Sequence, residues 1–98
     1  MIRTFMAVLA CTALPSFGQE SPAARTLAAT CAACHGPEGR SVTKEVVSLA
    51  GLPREQITSQ MRAFRDGSRP ATIMQQIARG YSDQQIDLMA DYFSRRPR

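Results

Sequence analysis

Residues 31 to 35 read Cys-Ala-Ala-Cys-His, and no other stretch of the 98-residue chain constrains it as tightly. Two thiols at this spacing, with a histidine directly after the second, read as a c-type haem attachment site. The spacing has a chemical reason. Each thiol can add to one vinyl group of a haem, giving two thioethers. His35 then presents an imidazole nitrogen to the iron. Cys31, Cys34 and His35 thus supply a covalent tether and a proximal ligand within one short segment. A zinc site would need three or four protein ligands, and the rest of the sequence carries no second group of ligand residues at matching spacing. A thioredoxin-like redox pair would want a βαβ context, and the sequence has no strand pattern to supply one. A Ser or Cys nucleophile would need a histidine to activate it, yet His35 is the only histidine.

The first 18 residues read as a secretory signal peptide, cleaved from the mature chain. Met1-Ile2-Arg3 is a short positive start, Phe5 to Leu14 is a largely apolar run, and Ser16-Phe17-Gly18 puts small residues before a cut. That run is too short for a stable membrane span, which takes about 20 residues. Lipidation of Cys11 after Val8-Leu9-Ala10 would need an unusually short signal. Residues 19–98 then form one mono-haem domain, and the protein is expected to be periplasmic.

A domain of that size buries little apolar surface and usually needs a staple. With Cys11 in the leader, Cys31 and Cys34 are the only thiols left, so there is no disulfide framework. One covalent haem c would serve as the staple. The charge balance, 12 Lys and Arg against 8 Asp and Glu, is spread along the chain without aromatic interleaving. That argues against a nucleic-acid partner and fits a solvated surface with some electrostatic steering of partners.

The apolar periodicity predicts an all-α fold with three main helices and a short one. Ser21 is placed to cap a first helix with Pro22 at its first position. Ala24, Leu27, Ala28 and Cys31 recur at helical spacing, so that helix leads into the haem motif. Gly36 and Gly39 mark a turn, and residues 40–51 read as a loop that covers the proximal side of the haem. Pro53 opens a second helix whose Ile57, Met61 and Phe64 share one face, and Gly67 ends it. Ala71 to Arg79 reads as the short helix. Ser82 to Phe93 carries a capping box from Ser82 and Gln85, with Tyr81 stapling onto Ile86. Its apolar stripe is Ile86, Met89, Ala90 and Phe93. Arg95-Arg96-Pro97-Arg98 reads as a frayed basic tail.

A haem held by His35 has a second axial position. Bis-histidine ligation within the chain is impossible, so methionine is the natural donor, and Met/His ligation suits electron transfer. Met61 and Met89 sit within regular helical stripes, where methionine is usually core filler. Met74 follows Arg69-Pro70, where the chain leaves a loop and can approach the distal face. Met74 is therefore the leading distal ligand, and Met61 stays open as the alternative.

These residues resemble a class I c-type cytochrome over roughly 21–94. The order is helix, Cys-x-x-Cys-His, loop, middle helix, methionine and capped C-terminal helix. The stretches Ser48–Leu52, Phe64–Met74 and Tyr81–Asp83 are similar to the cytochrome subunits of flavocytochrome c sulfide dehydrogenases and to related two-haem bacterial cytochromes. The resemblance implies thioethers at Cys31 and Cys34, His35 proximal and Met74 distal. It also implies a crossing of the first and last helices, with Ala24, Leu27 and Ala28 against Met89, Tyr92 and Phe93. Two departures stand out. This chain has one haem motif where the two-haem relatives repeat the unit. It also has Val47 where they carry a proline near the carbonyl that binds the proximal histidine.

The expected function is one-electron transfer with a redox protein partner, such as a sulfide-oxidising flavoprotein subunit, and not catalysis. The alternative is a haem enzyme or gas sensor with an open or displaceable sixth ligand. Only Arg69 could serve such a site as a distal group, and it reads better as reaching a propionate or solvent. If the haem is the staple, Cys31→Ala/Cys34→Ala is expected to lose helical circular dichroism and cooperative melting; a cooperative, fully helical variant would contradict this.

Overall fold

A computed structural model describes residues 20–98; the expected signal peptide over residues 1–18 lies outside the described residues. The elements in order are α1 (Pro22–Ala29), α2 (Ala32–His35), a 3₁₀ turn (Pro37–Gly39), α3 (Arg54–Asp66), α4 (Met74–Ala78) and α5 (Asp83–Ser94). Every regular element among the described residues is helical.

The helix ends follow local chemistry. The Ala24 N–H donates to Ser21 Oγ at 3.4 Å, and Pro22 occupies the first turn of α1, where its missing N–H costs nothing. The capping box on α5 is complete: the Gln85 N–H donates to Ser82 Oγ at 3.2 Å and the Ser82 N–H to Gln85 Oε1 at 2.9 Å. Gly67 ends α3 in the left-handed conformation, φ 85° and ψ 2°.

Two boundaries differ from the sequence reading. Pro53 is the residue before α3, extended at φ −55° and ψ 136°, so the helix starts at Arg54. The short helix spans Met74–Ala78, not Ala71–Arg79. No side chain caps it, and its first hydrogen bonds form only where the Ile73 carbonyl accepts the Gln76 and Ile77 N–H groups.

The core sits where α1 and α3 both pack against α5. Ala24, Ala28, Ile57, Ala90, Tyr92 and Phe93 form its buried cluster. Alanine on both helices lets their backbones approach closely. The Tyr92 and Phe93 rings meet edge to face at 5.3 Å, the arrangement that aromatic quadrupoles favour. Leu27 remains only half-buried. The loop after α2 is fitted to the same core. Gly39 has φ +79°, and a Cβ there would lie 2.7 Å from the Phe93 ring. Its carbonyl accepts the Leu49 N–H at 2.8 Å and the Ala50 N–H at 3.2 Å, drawing the returning loop in.

The basic tail is tied down and not frayed. The Arg96 guanidinium lies 4.3 Å from the Tyr92 ring centroid and pairs with Glu20. Arg40 donates to the Pro97 carbonyl at 3.2 Å, and Arg98 to the Gly51 carbonyl at 3.4 Å. Arginine's planar donors let it stack and hydrogen-bond at once, which a reading of tail composition alone does not register. Gly39→Ala combines a disfavoured φ with a clash against Phe93, and should destabilise the protein by roughly 2–4 kcal/mol in denaturant unfolding. A loss below about 0.5 kcal/mol would show that the Gly39–Phe93 contact is not tight.

Candidate cofactor site

One turn of helix organises the attachment motif. The His35 N–H donates to the Cys31 carbonyl at 2.9 Å and the Gly36 N–H to the Ala32 carbonyl at 3.0 Å. Residues three and four apart share a helix face, so Cys31, Cys34 and His35 present on one side. Gly36 ends the turn at φ +85°, and a Cβ there would collide with the Arg40 carbonyl oxygen at 1.8 Å. The chain can turn away from His35 only with glycine at this place.

That side opens onto a cavity of about 360 Å³. The motif turn supplies Thr30, Cys31, Cys34 and His35 to its wall; the loop adds Glu45, Val46, Val47, Leu49 and Leu52. The α3 face adds Ile57, Gln60, Met61 and Phe64, and the segment that leads into α4 and through it adds Arg69, Ile73, Met74 and Ile77. Met89 and Phe93 of α5 complete it. The lining is mostly aliphatic and aromatic, as small-molecule and cofactor sites usually are.

All four residues expected from sequence are therefore brought to one cavity. His35 is held by its ring: Nδ1 lies 2.6 Å from the Val47 carbonyl oxygen. A carbonyl only accepts, so Nδ1 carries the hydrogen and Nε2 keeps its lone pair for a metal. A valine carbonyl thus takes the place expected near a proline. Both cysteines are free thiols. Burial raises the Cys31 thiol above its ordinary pKa; the Thr30 hydroxyl opposes this and the nearby Cys34 adds to it. Among the described residues, no three His, Cys, Asp or Glu side chains are placed to hold a metal ion on their own. Two thiols, one nitrogen donor and an apolar cavity suit a large, covalently attached apolar group.

Met61, Met74 and Met89 all line the cavity. Met61 lies within α3 and packs against the core cluster, and Met89 is buried in α5. Met74 begins α4, where the chain arrives from the loop. Arg69 is exposed at the edge of the same cavity. Its guanidinium sits 4.7 Å from the Phe64 ring centroid and donates to Gln60 Oε1.

Gln60 was not anticipated on the cavity wall, because a polar residue flanking a stripe carries no periodic signal. The polar link from α3 to α5 was also missed. Arg62 reaches Asp83 at 3.5 Å and Asp87 at 3.6 Å, and Arg65 pairs with Asp83. Arg65 also donates to the Tyr81 carbonyl at 3.2 Å.

The cytochrome c family pattern matches residues 21–95. The chain belongs to the cytochrome c family. It is 39% identical over 67 residues to the cytochrome subunit of sulfide dehydrogenase of Chlorobaculum tepidum, covering 68% of this chain and 60% of that protein. It is 39% identical over 67 residues to the thiosulfate dehydrogenase electron acceptor of Stutzerimonas stutzeri, covering 65% of this chain and 31% of that one. It is 30% identical over 94 residues to cytochrome c4 of Pseudomonas aeruginosa, covering 96% of this chain and 47% of that one. The chain thus spans from about a third to 60% of these relatives. Membership in the cytochrome c family makes covalent haem c the cofactor, and the cavity described above fits it. Among the described residues, no helix is long and apolar enough to cross a membrane.

The Arg65 guanidinium hydrogen-bonds Asp83 and holds its carboxyl below the usual carboxylate range, with Arg62 adding to the effect. A depressed carboxylate pKa contributes stability that is present above the unfolded-state value and lost as pH falls through the folded-state value. Asp83→Asn in this cytochrome should therefore flatten the fall in stability below about pH 4. Thermal melts across that range check this; an unchanged acid slope would contradict it.

Proposed function

We propose that the chain is a periplasmic single-haem c-type cytochrome that carries one electron at a time. Residues 1–18 direct its export, and residues 19–98 form the mature domain. The observation that carries the reading is one cavity lined by both thiols, Met74 and an imidazole fixed by a 2.6 Å bond to Val47. When bound, haem c supplies an iron centre that gains or loses one electron. Cys31 and Cys34 hold it by thioethers. His35 offers Nε2 as proximal ligand, and the Val47 carbonyl fixes the tautomer and orients the ring. Met74 offers its thioether on the distal side; methionine as second ligand raises the reduction potential. Leu52, Ile57 and Phe64 keep water from the centre, which also favours the less charged reduced state.

The partner is a redox protein that docks by a small, transient interface. The names of the relatives, a sulfide dehydrogenase subunit and a thiosulfate dehydrogenase electron acceptor, favour a sulfur-oxidising donor. A flavoprotein that oxidises sulfide is the form we propose. Ligation is tested by the absorption spectrum of the ferric protein. The wild type should be low-spin, with the weak far-red band of a methionine–iron bond. Met74→Ala should lose the band, and Met61→Ala should keep it. A high-spin wild type would contradict the reading and favour an open sixth position.

A further inference from the structure

The segment from Arg69 to Tyr81 carries Met74, and its helix packs chiefly against α3. Ala78 is its only fully buried residue, and Ile73 and Ile77 remain 65% and 37% exposed. Its helix α4 has five residues, too few to be stable through its own hydrogen bonds. The segment is instead fastened at its ends. At the leading end, the Arg69 N–H donates to the Ala63 carbonyl at 3.1 Å, and the Arg69 guanidinium covers Phe64. At the trailing end, Arg65 donates to the Tyr81 carbonyl. All these contacts go to α3, the wall that carries Met61.

One contact goes elsewhere. The Tyr81 hydroxyl lies 2.8 Å from Thr30 Oγ1, across 51 residues of sequence. Thr30 donates its own hydroxyl hydrogen to the Leu27 carbonyl at 2.7 Å, so Tyr81 is the donor and Thr30 the acceptor. Thr30 immediately precedes Cys31, and its oxygen lies 3.9 Å from the Cys31 sulfur. Among the described residues, this is the only side-chain hydrogen bond between the Met74 segment and the attachment turn. It runs on through Thr30 to the last turn of α1.

We propose that Tyr81 is a positioning residue: its hydroxyl ties the Met74 segment to the turn that bears the attachment cysteines, and so holds the distal side closed against competing ligands. The proposal rests on the reading of Met74 as distal ligand. The tie joins two walls of the cavity that Arg69 and Arg65 do not connect. Breaking it leaves the trailing end held to α3 by Arg65 alone, with no tie to the attachment turn, while α1, α3 and α5 keep their packing. Tyr81→Phe removes the hydroxyl and leaves the ring.

The test uses ferric holo-protein titrated with imidazole, which competes for the distal position and is read by loss of the far-red methionine band. Tyr81→Phe should bind imidazole roughly three- to tenfold more tightly than wild type, the range expected for one lost neutral hydrogen bond. Thr30→Val should do the same, and the double variant should add nothing further, as for two residues acting as one unit. Thr26→Val, which removes another α1 hydroxyl bonded only to the Pro22 carbonyl, should leave the affinity unchanged. Amide hydrogen exchange gives an independent readout. Exchange at residues 76–81 should quicken in Tyr81→Phe by the same factor, with α1 and α5 unaffected. Unchanged imidazole affinity and unchanged exchange in Tyr81→Phe would overturn the proposal. A wild type with no methionine band would instead overturn the ligand reading, while the exchange comparison would still decide whether the tie holds the segment.

Discussion

Helices α1 and α5 cross closely because Ala24, Ala28 and Ala90 carry only methyl groups at the contact. The placement of everything else depends on that crossing. It fixes the end of α1, and two residues later the chain reaches Cys31. A larger side chain at Ala28 would push α1 outward and move the attachment turn with it. Phe93, buried in the same contact, also meets Gly39 and lines the cavity. One aromatic ring thus registers the helix crossing, the loop after the motif and the cofactor wall against one another.

Polar interactions hold the edges of this arrangement. No polar or charged residue among the described ones is buried, so the ion pairs work at the surface and contribute modestly one by one. Their distribution is informative nonetheless. Glu20 joins Arg25 and Arg96, bringing the chain before α1 to the chain after α5. Arg62 and Arg65 bind the start of α5 to α3. Each set bridges elements that the apolar core already brings near, and so restricts how they can slide.

Much of this was legible in the sequence because its signals are local. Ser82 with Gln85 announces a helix start, Gly67 a helix end, and Cys31 to His35 a chemistry. The stripe of Ile86, Met89, Ala90 and Phe93 is buried as its spacing implies. What could not be read depends on contacts between distant residues. Nothing in Arg96 signals Glu20 or Tyr92 as its partners, so the tail looked loose. Ala71 to Ile73 have fair helical composition, but the Arg69 backbone bond to Ala63 and the lack of a cap delay α4 to Met74. Met61 and Met74 line the same cavity, and helical spacing distinguishes them only by the regularity of the face around Met61. The Val47 carbonyl was anticipated through family resemblance; backbone acceptors leave no trace in residue identity.

A fixed imidazole, two thiols and a soft sulfur donor line one apolar cavity of this cytochrome c-family domain. His35 and Met74 stand on separate chain segments, one held by a backbone carbonyl and the other by a short helix packed against α3. Iron K-edge X-ray absorption of the ferric holo-protein tests the central claim most directly. A single axial sulfur neighbour is expected, retained in Met61→Ala and lost in Met74→Ala. An iron with only nitrogen and oxygen neighbours, or one whose sulfur persists in Met74→Ala, would contradict it.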